Sequence, residues 1–302
     1  MKLKTNADRL VEISVIGEVD SPTARSASPW RVGPDGVPKV LPSVGGITYN
    51  VLVGDPAGGW QADHVEPGVS IRNRKDGDDQ NAALNTFAQI GNSAQVVSGD
   101  AKGAKGVVTG KHGGIEHVLV DFAPDVMAKL VIGDRVQVRA LGVGLELADF
   151  PDVTVMNLDP ALVAKIGIRK KGGALEVPVA AEVPSKVMGS GLGRDNTYRG
   201  DYDIQTCDPE AVAEYGLDRI RLGDLVAISD ADHRYGRTYR KGAVAVGVVV
   251  HSVCTTAGHG PGVTTVLAGA PGSVAFRLAP RGANIAEMLK IGRSRRSKRR
   301  RS

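Results

Sequence analysis

Glycine interrupts nearly every apolar run in this chain. With 39 glycines and aromatic residues at only 4%, the apolar segments are short, rich in Val, Ile and Ala, and separated by turns. LVEISVIG (residues 10–17), ITYNVLV (47–53), LVAIS (225–229) and AVAVGVVVHS (243–252) all have strand length and are bounded by turn residues. A parallel α/β sheet needs a long helix between successive strands, and the sequence offers none. The expected fold class is therefore mainly β with short helices, in two or more β-rich subdomains that include a small barrel.

The helices are short and clearly punctuated. Asp79 can cap a helix running to Ile90, with Ala83, Leu84, Phe87 and Ile90 on one face and Gly91 ending it. DPALVAKIGI begins at Asp159 and DPEAVAEYGL at Asp208. In both, Asp serves as the N-cap, Pro takes the first helical position and Gly closes the helix. APDVMAKLVIGDRVQV, from Ala123, is a looser copy. VVTGKHGGIEHVLVDF reads as two Val-rich strands around a turn at Lys111 to Gly114. These features divide the chain into a β-rich part over 1–95, a barrel-like part over 96–145 and a β-rich part with Asp-Pro-capped helices over 146–291. A basic tail over 292–302, expected to be disordered, follows.

Charge is unevenly spread. The last ten residues, RSRRSKRRRS, hold seven of the 38 Lys and Arg and no acid, which leaves 31 basic against 33 acidic residues elsewhere. The tail can make nonspecific phosphate contacts with nucleic acid, but no aromatic residue interleaves with it to stack on bases. The two cysteines, Cys207 and Cys254, make no disulfide framework and read as buried reduced thiols. No apolar run is long enough to span a membrane, and the start of the chain lacks an apolar signal core. A cytoplasmic protein is expected, and an oligomer is compatible with the sequence.

The groups that can carry chemistry concentrate in residues 200–262, with one outlier cluster upstream. Asp63, His64 and Glu66 share one loop; Asp201 and Asp203 are two apart; Asp230, Asp232 and His233 follow an apolar run; His259 lies between glycines in AGHGPGV. Two carboxylates on one face of a strand repel unless a cation or proton lies between them. A divalent metal held by Asp63, His64, Asp203, Asp232 and His233 is the expected arrangement. Glu66 and His259 would then move protons, and Tyr235 and Arg237 would hold a carbonyl or an anion. Each group also has a plain structural reading as a cap, a surface turn or an ion pair. His112 reads as a hairpin tip or part of a backbone nest.

ITYNVLVGDPAGGWQADHVEPGVSI, VVTGKHGGIEHVLVDF, GDYDIQTCDP, RYGRTYRKGAV and AGHGPGVTT together resemble the domain-of-unknown-function family numbered 4438. The resemblance extends to about Ile291 and implies a mainly β fold with no assigned activity. GDYD followed by VAISDADH also resembles the acetamidase/formamidase enzymes over about 60 residues, although Asp201 stands where those enzymes have Asn. That likeness implies a metal-dependent hydrolase of an amide or related C–N bond in a small molecule. Two alternatives stand beside it: a small-molecule binding protein without turnover, and a nucleic-acid-associated protein working through its tail.

Overall fold

A computed structural model describes residues 3–24, 29–33, 35–74 and 79–295. Six antiparallel strands close into a barrel: β1 (Ile13–Val19), β2 (Gly68–Arg72), β3 (Ser93–Val96), β4 (Lys105–His112), β5 (His117–Asp121) and β6 (Arg135–Ala140). The order around the ring is β1-β6-β3-β4-β5-β2, and β2 returns to pair with β1 through Glu18–Arg72 and Val19–Ile71. Alternation fills the interior. Val136, Val138 and Ala140 of β6 point inward while Arg135 and Arg139 face water. The helix Asp79–Phe87 lays Leu84 on the barrel at Gly17, where even a Cβ would crowd Leu84 and Ile71.

The C-terminal half forms two further sheets. The larger orders β7 (Val153–Val155), β14 (Gly262–Gly269), β13 (Thr238–Val249), β12 (Leu225–Asp232) and β10 (Ala181–Pro184), with the short β11 (Tyr202–Asp203) also on β14. The smaller sheet joins β8 (Arg169–Lys171), β9 (Ala174–Val179) and β15 (Val274–Leu278). β14 is buried throughout and β13 from Ala243 to Val249, and these stretches are largely apolar because both of their faces are covered.

Barrel and sheet meet at the end of β4. A bulge between Val108 and Gly110 turns this strand. A side chain at Gly110 would run into Val250. Lys111 N–H donates to Thr264 Oγ1 at 3.3 Å, and that hydroxyl donates back to the Lys111 carbonyl at 3.0 Å. His112 and His251 are carried to this junction by their own strands.

Several sequence expectations change here. The barrel draws strands from both 1–95 and 96–145, so the two are one structural unit. Each strand is too short to bury a core alone, and only closure removes the exposed edges. The strand expected over 47–53 shrinks to Ile47–Thr48. Strand β12 runs on through Asp232, past a bulge at Asp230 with φ 57°. The tail expected from 292 begins in contact with the body. Gly292–Ser294 forms a 3-10 turn, Arg293 pairs with Asp55 at 2.6 Å and Arg295 pairs with Asp121. Residues 296–302 lie outside the described residues. Both Asp caps form: Asp159 accepts from Ala161 N–H, and Asp208 from Glu210 and Ala211 N–H. The looser copy has Ala123 at the cap position and no side-chain bond there.

Candidate functional site

Four of the six histidines gather at the barrel–sheet junction. His112 and His251 stack with ring centroids 4.1 Å apart, and His64 lies 5.1 Å from both His251 and His259. Each arrives differently. His112 ends β4 and pairs in register with His117 across the hairpin. His251 follows β13. His64 stands on a loop in the left-handed region, φ 57°, a strained backbone of the kind that persists where surrounding contacts enforce it. His259 follows Gly258, which supplies a positive φ of 76°.

Asp201 and Asp203 flank Tyr202 at β11, so strand alternation sends both carboxylates to one face and Tyr202 to the other. Asp203 Oδ1 lies 3.4 Å from His251 Nε2, while its Oδ2 lies 2.9 Å from His259 Nδ1 and 3.9 Å from His64 Nε2. Asp201 Oδ2 is 2.8 Å from His251 Nε2, yet the two atoms are not aligned for a hydrogen bond and both remain without one. Gly262 permits this approach, since a Cβ there would strike both atoms. When His251 carries a proton the two form an ion pair, and when a metal ion replaces that proton they are two ligand atoms converging on one site.

The outer nitrogens are fixed from behind. His251 Nδ1 donates to the Ser252 carbonyl at 2.9 Å, which turns Nε2 inward. His112 Nδ1 lies 2.5 Å from Glu66 Oε1, and His64 Nδ1 lies 3.4 Å from Asp63 Oδ2. Backing an imidazole with a carboxylate or carbonyl is how metal-binding histidines are held. A longer chain lies behind His112: His117 Nδ1 lies 3.0 Å from both Glu66 oxygens, and its Nε2 lies 2.9 Å from Asp20, which Arg74 covers.

The electrostatics agree with a cation-seeking group. Burial alone would raise the Asp201 and Asp203 carboxyls, but the histidines beside them outweigh it and hold both below the usual range. Burial opposes protonation of His251 and His64 as well; the carboxylates win, pushing His251 up to about 10 and His64 to about 12. His112 is pushed down by burial and by His251. The carboxylates demand positive charge, which protons or a metal ion can supply. His112, Asp201 and His251 offer ligand atoms all within 4.8 Å of one another, and so do His64, His259 and Cys254.

His64, His112, Asp201, Asp203 and His259 line a cleft of about 290 Å³, together with Gly113, Gly191, Arg194, Arg199 and Arg237, and His251 lies buried behind it. Arg237 is buried over the Tyr202 ring and donates to the Arg199 carbonyl at 3.1 Å. Arg199 is paired with Glu116 at 2.8 Å.

The expected residues sort unevenly. His64, Asp203, His259 and Arg237 reach the cleft. Asp63 stands behind His64, accepting from Cys254 Sγ at 2.9 Å and Thr255 N–H at 3.1 Å, and so ties the N-terminal loop to the loop after β13. Glu66 is fully buried. It accepts from Gly45 N–H at 2.7 Å and Ser70 Oγ at 2.5 Å besides the two histidines, so it orients His112 and does not face a substrate. Asp232 is taken by Arg234 at 2.9 Å and Arg240 at 3.0 Å, and His233 by Tyr202 and Thr265, so neither joins the cluster. Tyr235 is 87% exposed, outside the cleft. Of the two stretches that resemble the acetamidases, GDYD enters the cluster and VAISDADH does not. His112, Asp201 and His251 are ligand candidates missing from the expected set, although spacing alone pairs Asp201 with Asp203. His251 carried a signal, a histidine ending the most apolar strand of the chain; His112 gave none beyond its hairpin.

No curated protein matches this chain. The crystal structure of TM1086 superposes with a TM-score of 0.89 at 49% identity, covering 95% of this chain and 99% of that one. Residues 30–164 match the N-terminal and residues 165–289 the C-terminal domain of unknown function DUF4438. With both of its domains present over most of the sequence, this chain belongs to the DUF4438 family.

Proposed function

We propose that the protein is a metal-dependent hydrolase acting on an amide or related C–N bond of a small molecule. One observation carries the reading: Asp201 Oδ2 and His251 Nε2 converge to 2.8 Å, both buried and neither in an aligned hydrogen bond, beside a glycine whose missing side chain admits them both. His112, Asp201, His251 and Asp203 Oδ1 make a mixed imidazole–carboxylate set, the donor chemistry of zinc, manganese and similar divalent ions. Such an ion, when bound, supplies Lewis acidity toward a carbonyl and activates water as the nucleophile. The chain's own residues do the rest. Glu66 and the Ser252 carbonyl hold the two imidazoles in position. Arg194 and Arg237, on the cleft wall, favour a substrate with a carbonyl oxygen or an anionic group near the bond to be broken. The cleft volume limits that substrate to a small molecule.

The test is metal content followed by amide turnover. Chelator-treated protein reloaded with Zn²⁺ or Mn²⁺ should retain bound ion through gel filtration, and His251→Ala should lose it. The loaded protein should release ammonia or an amine from a panel of small amides. Protein that binds neither ion, at any pH at which it stays folded, would remove the reading. Bound ion with no turnover across the panel would favour a non-catalytic binding protein that uses the same cleft.

A further inference from the structure

The ligand atoms number more than one cation needs, and they fall into two sets. His112, Asp201 and His251 form one set within 4.8 Å; His64, His259 and Cys254 form the other. Asp203 stands between them. Its Oδ1 faces His251 Nε2 at 3.4 Å, and its Oδ2 faces His259 Nδ1 at 2.9 Å and His64 Nε2 at 3.9 Å. His64 Nε2 and His259 Nδ1 are themselves 3.1 Å apart. Ligands bonded at about 2.1 Å to one ion, at angles near 90–110°, lie about 3.0–3.4 Å from each other. The separations in the second set, like those in the first, scatter around that range.

The second set is also braced as a ligand set. Asp63 backs His64 Nδ1 at 3.4 Å and turns its Nε2 toward His259 and Asp203. The same carboxylate accepts from Cys254 Sγ and from the Thr255 backbone and hydroxyl, so the loop bearing Cys254 and His259 is anchored to the loop bearing His64. The left-handed backbone of His64, φ 57°, is held within this network. A histidine pair that merely shared a proton would need neither the strained backbone nor a carboxylate aimed between the rings.

We infer that the centre is binuclear. His64, His259 and Asp203 Oδ2 hold a second divalent cation, with Cys254 Sγ at its margin, and Asp203 bridges it to the first. The inference rests on the single-cation reading above and deepens it. Two ions so bridged would lie about 3.5–4 Å apart, a spacing suited to clamping a carbonyl and a nucleophile together.

The experiment counts ions. Chelator-treated wild type and His259→Ala are each reloaded with Co²⁺, freed of excess and assayed for cobalt per chain. His259 is 35% exposed, so its replacement should leave folding intact, and a thermal unfolding curve checks this. Wild type is expected to hold two ions per chain, with an electron paramagnetic resonance signal weakened by coupling across Asp203. His259→Ala should hold one, at full signal per ion. One ion in both proteins overturns the second site and leaves the single-cation reading standing. Two ions in both removes His259 from the ligands and overturns the assignment. No ion in either sinks both readings. A His259→Ala protein that unfolds is replaced by His259→Gln, read in the same way.

Discussion

Glu66 bridges His112 and His117 with no exposure to solvent, so its effect on the site is exerted through an imidazole. Glu66→Gln keeps the shape and an oxygen for Gly45 and Ser70 but removes the charge behind His112. Loss of such a backing carboxylate weakens metal binding on the order of 10- to 100-fold. That loss should appear in a Zn²⁺ or Mn²⁺ titration, with secondary structure unchanged by circular dichroism; unchanged affinity would mean His112 is not a ligand. Asp232 offers the opposite control. Burial would raise its carboxyl, but Arg234 and Arg240 outweigh it and hold it down at about 2, below the ordinary 3.8. A depressed carboxyl stabilises the fold above its unfolded pKa and loses that contribution as pH falls through its folded pKa. Wild type should therefore exceed Asp232→Asn by about 1–2 kcal/mol at neutral pH. The gap should close between about pH 4 and pH 2, as read by urea unfolding at stepped pH, while bound metal per chain stays equal.

At the scale of elements, the two Asp-Pro helices look interchangeable in sequence but not in their surroundings. Asp208 caps Pro209–Tyr215 at the surface and does little else. Asp159 caps Pro160–Val163 and also accepts from Asn92 Nδ2 at 2.8 Å, which joins the helix to the turn before the barrel strand β3. Asp208→Ala should cost about 1 kcal/mol, the usual loss of a cap. Asp159→Ala should cost about 2 kcal/mol, because it also leaves the buried Asn92 amide short of a partner. Equal losses in chemical denaturation would show that the Asn92 contact contributes nothing. The reused motif was plain from the sequence, since capping is local chemistry. The difference between its copies was not, because Asn92 is 67 residues away.

At the scale of the whole molecule, residues 292–295 strap the C-terminal end to the N-terminal half. Arg293 pairs with Asp55 on the loop before β2, Arg295 with Asp121 at the end of β5, and Gly292 packs against the Val53 carbonyl. Asp121 is pushed up to about 6 by burial, with Arg295 opposing, so losing Arg295 leaves a buried carboxylate with less compensation. Truncation after Ile291 should remove about 2 kcal/mol from these contacts and lower the melting temperature by about 4 °C. Arg293→Ala alone should give part of that drop. A truncated protein melting with the wild type would show the strap adds no stability. Among the described residues no helix is long and apolar enough to cross a membrane.

The sequence by itself determined what is local. Short Val-rich runs cut by glycine fixed a mainly β chain, Asp-Pro pairs placed two helix starts, and the Asp201–Asp203 spacing put both carboxylates on one strand face. It also marked the loop of His64 and the loop of His259 as sites, because charge beside glycine needs no distant partner to be noticed. Only the tertiary structure decided which groups meet. Barrel closure carries Gly110 onto Val250 and His112, at the end of β4, onto His251, a pairing across about 140 residues that no spacing rule encodes. The same folding gave Asp232 two arginines and His233 a tyrosine, which removed both from a cluster that their position after an apolar strand had suggested. Ligation depends on atoms within about 3 Å of one another, and in a chain with so many long-range strand pairings that proximity is a property of the closed barrel and its junction.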